Sequence, residues 1–221
     1  MSRQEMLTQI ALALIGKSGV REWENESIQI AIAQAAANIV NEMIVMALPD
    51  FIKISSGTAL TIRNSGGDAA ITLASLANGN GTSAGGRQSA TLDLGANWAQ
   101  RWRIDTDFEL AATPTAGNAI NLFASFSDTT GAGRGNTSGS DAAYSGYSSN
   151  IDASTRQLEL IGAHVVTNQA TSTVQKAFAG IFFPKGRYLN LVVDNRSGAA
   201  FHSTNTNQLI TLTPLEESIV D

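Results

Sequence analysis

The chain has 221 residues, a net charge of −5, and a composition that is 43% apolar and only 15% charged, where soluble domains typically have about 25% charged residues. Ser, Thr, Asn, Gly and Ala replace the missing charge, a mixture typical of short strands and tight turns and not of a solvated disordered chain. The 14 Lys and Arg residues form no cluster and cysteine is absent, so nucleic acid is not an expected partner, and disulfides, thiolate zinc sites and cysteine nucleophiles are excluded.

Two amphipathic helices are predicted before residue 50. The first covers residues 2–15 and stops at Gly16, because glycine tolerates the left-handed conformation that ends a helix. Glu5 and Gln9 interrupt its apolar residues, so we expect no signal peptide. The second helix begins near residue 28 and ends before Pro49. Polar residues break its apolar run, so we do not expect it to cross a membrane.

The second helix has one apolar stripe, and its other side is polar but uncharged. This stripe can pack against the chain's own β-domain, or it can dock on another subunit. Its position at one terminus and its content of Met and Ala favour docking. We therefore expect residues 1–49 to form a docking or assembly arm whose interface includes Ile28, Ile32, Ile39 and Met43.

From residue 51 onward the apolar period changes from 3.6 to 2, which predicts a β-domain over residues 50–221. Leu60 and Ile62 precede a turn at residues 64–67 and the apolar Ile71 and Leu73, a pattern that predicts a hairpin.

The clearest strand is 102–110, where apolar and charged residues alternate. Further strands are predicted at 90–94, 120–126, 157–166, 174–183, 188–194 and 209–213. Because no helical pattern intervenes and long connections separate some strands, we expect a mainly β fold, an antiparallel jelly-roll-like β-sandwich with an N-terminal two-helix arm.

Residues 128–150 are rich in glycine and serine and too long for a plain connector. Tyr144 and Tyr147 lie within this loop and are candidates for contact with a partner. The alternative is a mobile surface loop whose tyrosines pack locally. Either way, we expect this loop to be the most mobile or most partner-dependent part of the β-domain.

No residue pattern predicts catalysis, a metal or a cofactor. His164 and His202 lack the neighbours of a nucleophile–base pair. Asp105, Asp107 and Glu109 could serve a glycosidase, but a half-exposed strand places polar groups outward in any case. The spacing of the aspartates at 128, 141 and 152 matches no calcium loop.

Five segments in the same order resemble uncharacterised virion structural proteins of tailed bacteriophages. They are PTAGNAINL (114–122), SDAAYSGYS (140–148), RQLELIG (156–162), GRYLNLVVDNRSGAA (186–200) and LITLTPLEE (209–217). The resemblance spans roughly residues 98–217 and leaves out the helical arm. It implies a capsid-decoration, head-fibre, collar or tail component without enzymatic activity, located in the virion and made in the host cytoplasm.

Three functional hypotheses follow. The first is a virion structural protein, a homo-oligomer with a trimer favoured, that binds other virion proteins. The second is a carbohydrate-binding or adhesin module that uses Trp98, Trp102 and the tyrosines of the 128–150 loop to stack on a glycan. In that hypothesis the weak point is Trp102, which the alternation of its strand places in the core. The third is a jelly-roll hydrolase that uses Asp105, Asp107 or Glu109.

Overall fold

The computed structural model describes Gln34 and residues 51–81, 84–95 and 99–220. The chain divides into two units, Met1–Lys53 with Ile219–Asp221, and Ile54–Ser218. The predicted helices, with the exception of Gln34, lie outside the described residues, and so does the predicted interface of Ile28, Ile32, Ile39 and Met43. The arm and its boundary at residue 49 therefore stay predictions.

From Phe51 to Val220, the described residues form twelve strands and one short helix. The strands are β1 (Phe51–Ser56), β2 (Leu60–Arg63), β3 (Ala69–Ala70), β4 (Gly86–Gln88), β5 (Leu92–Asp93), β6 (Arg101–Glu109), β7 (Ala119–Ser127), β8 (Ala142–Ala143), β9 (Glu159–Val165), β10 (Val174–Phe182), β11 (Tyr188–Asn195) and β12 (Leu209–Val220). The helix α1 covers Ile151–Thr155, and 3₁₀ turns cover Arg134–Asn136 and Asn205–Asn207. The mainly β class is thus confirmed.

The strands form two sheets. In the first sheet the order is β10-β6-β12-β2-β3, and β1 also pairs with β12. In the second sheet the order is β8-β4-β11-β7-β9, and β5 also pairs with β11. The long central strands pair antiparallel, β6 with β10 and β12, and β7 with β9 and β11.

One hydrophobic core contains the inward side chains of both sheets. From the first sheet it includes Ile62, Trp102, Ile104, Phe108, Ile210 and Leu212, and from the second Ile120, Leu122, Leu189, Leu191 and Val193. The predicted alternation of β6 is confirmed from Trp102 to Phe108, because Trp102, Ile104 and Phe108 are at most 1% exposed while Arg103 between them is exposed. The prediction is wrong for Glu109, which was expected on the exposed face and is 4% exposed. Trp102 lies in the core, as its strand pattern predicted.

The predicted hairpin after β2 is wrong, because β2 and β3 pair parallel, with Ile62 opposite Ala69. The Asp68 carboxylate accepts a hydrogen bond of 2.7 Å from the Thr61 backbone N–H, and the Asp68 N–H donates to the Thr61 carbonyl at 2.8 Å. These bonds return the chain to the start of β2, so that the next strand runs in the same direction. Ile71 is buried in the core without being part of a strand.

β11 is buried on both of its faces. Leu189, Leu191 and Val193 point into the main core, and Val192 belongs to a second cluster with Tyr144 and Ile151. Phe123 and Leu158 pack against this cluster. Residues 128–158 therefore cover the outer face of the second sheet, and we call this segment the cover.

Candidate functional site

The two tyrosines proposed for partner contact have different environments. Tyr144 is 1% exposed and its hydroxyl donates a hydrogen bond of 2.5 Å to the Gly135 carbonyl. Its burial raises the pKa of Tyr144 to about 12. Tyr147 is 50% exposed. Only Tyr147 can therefore touch a partner without a rearrangement of the cover.

Hydrogen bonds attach the cover to the second sheet. The Asn190 side chain on β11 donates to the Gly131 carbonyl at 2.9 Å, and the Gln88 side chain on β4 accepts from the Ser138 N–H at 2.7 Å. Within the cover, the Asn136 side chain donates to the Gly146 carbonyl at 2.9 Å. Tyr144 thus packs locally, as the alternative interpretation of this loop predicted, and it holds the segment on the sheet together with these amides.

Two ion-pair groups hold the middle and the C-terminal part of the same segment. Arg87 approaches Asp141 at 2.5 Å, and the Thr72 hydroxyl donates to Asp141 at 2.6 Å. Burial acts to raise the pKa of Asp141, but the bonds from Thr72 and Arg87 prevail and keep it below its usual range. On α1, Asp152 pairs with Arg196, which also binds Asp194. These carboxylates serve to fasten the cover.

The acidic residues of β6 do not form a paired-carboxylate site. Asp105 pairs with Arg103 at 2.7 Å and Asp107 with Lys176 at 2.6 Å, both on the solvent side. Glu109 is instead 4% exposed and accepts from the Asn207 side chain at 2.6 Å. Each acid therefore has its own structural partner.

The two histidines lie in separate places. His164 is 1% exposed, and its Nδ1 lies 2.8 Å from the Thr106 hydroxyl. Burial lowers the pKa of His164 to about 4. The Nδ1 of His202 lies 3.1 Å from the Thr204 hydroxyl and 3.7 Å from Glu109. Because both neighbours approach the same nitrogen, this group does not have the geometry of a nucleophile–base–acid triad.

The most distinctive exposed feature is an apolar surface on two edge strands, β9 of the second sheet and β10 of the first. Five large apolar side chains on or beside β9 and β10 are 47–60% exposed. They are Leu160, Val165, Phe178, Ile181 and Phe183, and we call them the β9–β10 surface. Edge strands of soluble proteins usually have charged residues at such positions, because exposed apolar edges favour association.

Two bulges produce this surface. The register of β10 against β6 shifts between Phe178 and Gly180, which leaves Ala179 as the extra residue. One extra residue changes which positions face outward, so Phe178 before the bulge and Ile181 after it are both exposed. In β9 a similar bulge leaves Ile161 as the extra residue, because Gly162 and Leu160 on either side of it pair with the consecutive β7 residues Leu122 and Phe123.

Glycines let the two bulged strands approach each other. A Cβ on Gly162 would lie 2.9 Å from the Ala179 carbonyl oxygen, and one on Gly180 would lie 2.8 Å from the Ile161 carbonyl oxygen. Both distances are too short for a real contact, so any larger residue would push the strands apart. Sequence reasoning missed this surface. Apolar residues occur at both odd and even positions of 174–183, and this break in the alternation is a sign of a bulge.

Within the described ranges, no group of three His, Cys, Asp or Glu residues could hold a metal ion, and no helix is long and apolar enough to cross a membrane. No family model and no curated protein matches the chain.

Proposed function

We propose that this chain is a non-enzymatic structural subunit of a tailed-bacteriophage virion, a decoration, fibre or collar component. In this proposal the β-domain is a jelly-roll-like sandwich displayed on the particle, and the N-terminal helices dock on it. The resemblance of residues 98–217 to phage virion proteins supports the proposal, and that span includes β6 to β11 and most of β12.

The observation that carries the proposal is the β9–β10 surface. Phe178, Ile181 and Phe183 are 60%, 47% and 58% exposed. Full burial of one such side chain in an interface stabilises the associated state by about 1.5–3 kcal/mol. Several of them on contacting edge strands are typical of a surface that another protein covers.

The proposed subunit has two contact regions with different roles. The stripe of Ile28, Ile32, Ile39 and Met43 would attach the chain to other virion proteins, and the β9–β10 surface would contact neighbouring copies. Homo-oligomers of this kind are usually closed and symmetric, and we favour a trimer. Membrane and nucleic acid are not expected partners.

A first experiment tests the contact between copies. Light scattering on the full chain should give an oligomer, and the double variant Phe178→Ser, Phe183→Ser should shift the mass toward the monomer. Ile54→Ser is the matched control, because Ile54 is 54% exposed but lies on β1. A monomeric wild-type chain, or an equal effect of Ile54→Ser, would contradict the proposed contact.

A second experiment tests the location in the virion. Antibodies against the β-domain should label purified particles from a culture of the phage that encodes the chain, and mass spectrometry should find its peptides in them. Particles without the protein would refute the virion role.

The carbohydrate-binding alternative loses two of its stacking residues. Trp102 and Tyr144 are buried, and Trp98 lies outside the described residues. Of the stacking residues that the structure describes, Tyr147 alone is exposed. Stacking of a glycan on these aromatic residues is therefore not the function we propose.

A further inference from the structure

A pocket of about 450 Å³ lies between β7, the 3₁₀ turn of the cover, the start of β9 and the β10–β11 connection. Its volume lies within the range of small-molecule sites, about 300–1,000 Å³. Its lining combines charged, amide and apolar side chains, of which the relevant ones are Phe126, Arg134, Gln157, Leu158, Glu159 and Lys185.

The charged side of the pocket has one cation in excess. Lys185 Nζ lies 2.6 Å from Glu159 Oε2, so these two charges offset each other. Arg134 also lines the pocket and is exposed, and it has no ion-pair partner among the described residues. A guanidinium without a partner is well suited to a carboxylate, because its planar donors match both oxygens.

Phe126 and Leu158 form the apolar side of the pocket, and both are half-buried. The Phe126 ring lies 5.9 Å from that of Phe182, with 30° between the planes, so the main core holds it in place. Leu158 packs against the cluster under the cover. Fixed apolar side chains of this kind can contact the C–H face of a sugar ring.

A buried polar group also lines the pocket. Ser125 is 2% exposed, and its Oγ has no hydrogen-bond partner among the described residues. The Gly133 backbone packs closely against this Oγ, since a Cβ on Gly133 would lie only 2.3 Å from it. Because the backbone of the cover lies directly over this Oγ, a ligand in the pocket does not reach it, and Ser125 plays no part in the binding proposed below.

We propose that this pocket binds a sugar that has a carboxylate group. Arg134 would bind the carboxylate, while Gln157 and the Glu159–Lys185 pair would bind hydroxyls, and Phe126 and Leu158 would contact the ring. Phosphate fits less well, because it has no ring for Phe126 and Leu158 to contact. A neutral sugar fits less well because it leaves the Arg134 charge without a partner.

Calorimetry on the full chain tests the site with three acidic sugars, glucuronate, galacturonate and N-acetylneuraminate. Glucose, galactose and inorganic phosphate are the comparison probes. We expect at least one acidic sugar to bind. The neutral sugars should bind at least about tenfold more weakly, the change expected from one charge-assisted contact, and phosphate should also bind more weakly because it lacks the ring. Absence of binding by every acidic sugar, or equal binding by a neutral sugar or by phosphate, would overturn the proposal.

Arg134→Gln should weaken the binding of the acidic sugar by about tenfold or more. The matched control is Arg156→Gln, since Arg156 is also exposed and does not line the pocket. Both arginines lie at the surface, so circular dichroism should show both variants folded. An equal loss in the control would mean that the effect is one of net charge and not of this site. The result does not depend on the virion role, because it involves neither the arm nor the β9–β10 surface.

Discussion

The outer faces of the two sheets have different environments. On the first sheet, outward side chains form ion pairs in water, such as Arg103 with Asp105 and Lys176 with Asp107. On the second sheet, the outward Asn190 and Val192 are each at most 1% exposed because the cover lies over them. Burial of an outward strand residue is therefore decided by what packs on the sheet, not by the strand itself.

The covered face also has a different chemistry. Its polar side chains, among them Gln88 and Asn190, are bonded to the cover's backbone, because a buried amide without partners costs about 1–3 kcal/mol. The exposed ion pairs of the first sheet have no such requirement, since water satisfies them. The predictions that follow test this contrast.

The largest effect should come from the core between the sheets. We expect Phe108→Ala to lower the free energy of unfolding by about 3–5 kcal/mol, because Phe108 is buried and contacts the rings of His164 and Phe201. Asp107→Asn on the outer face should cost under about 0.5 kcal/mol, because its Lys176 partner is exposed. Denaturant titrations measure both, and similar values would mean that the two faces do not differ.

Acid should act on the inner core through His164. Its folded-state pKa of about 4 lies below the ordinary 6.5, so its contribution is complete above pH 6.5 and is lost as the pH falls toward 4. The loss amounts to about 3 kcal/mol. Urea titrations across this range should show a steeper fall for the wild type than for His164→Gln. Parallel curves would show that the imidazole is not buried in its neutral form.

The cover should depend on Tyr144. Tyr144→Phe removes the donor to the Gly135 carbonyl and should cost about 1 kcal/mol. Limited proteolysis should then cut residues 128–150 earlier than in the wild type. Tyr147→Phe is the control, because the Tyr147 side chain is half exposed. If the wild-type cover is cut as early as the Tyr144 variant, the cover is not anchored in this way.

The smallest effect on stability should come from Tyr147 itself. Tyr147→Ser should change the free energy of unfolding by less than about 0.5 kcal/mol, since the side chain is exposed. If Tyr147 contacts a partner, the same variant should attach to particles more weakly in a sedimentation assay. A variant that binds particles as well as the wild type would exclude Tyr147 from the contact.

Sequence reasoning predicted the site less well than the strands. The positions of the long strands follow from alternation alone, and β6, β7, β9, β10 and β11 each overlap their predicted ranges. The β9–β10 surface was missed because it requires two bulges, and an extra residue in a strand is defined only by its partner strand. The pocket was missed because Arg134 and Lys185 are distant in sequence, and only folding makes them line the same pocket.

What the sequence by itself determined is the mainly β class and which residues of β6 face inward, because a strand's side chains alternate whatever surrounds it. It also indicated Trp102 as a core residue. The tertiary structure decided the parallel pairing of β2 with β3 and the burial of Tyr144. Both depend on hydrogen bonds to particular backbone groups, between Asp68 and Thr61 and between Tyr144 and Gly135, whose partners no periodic pattern specifies.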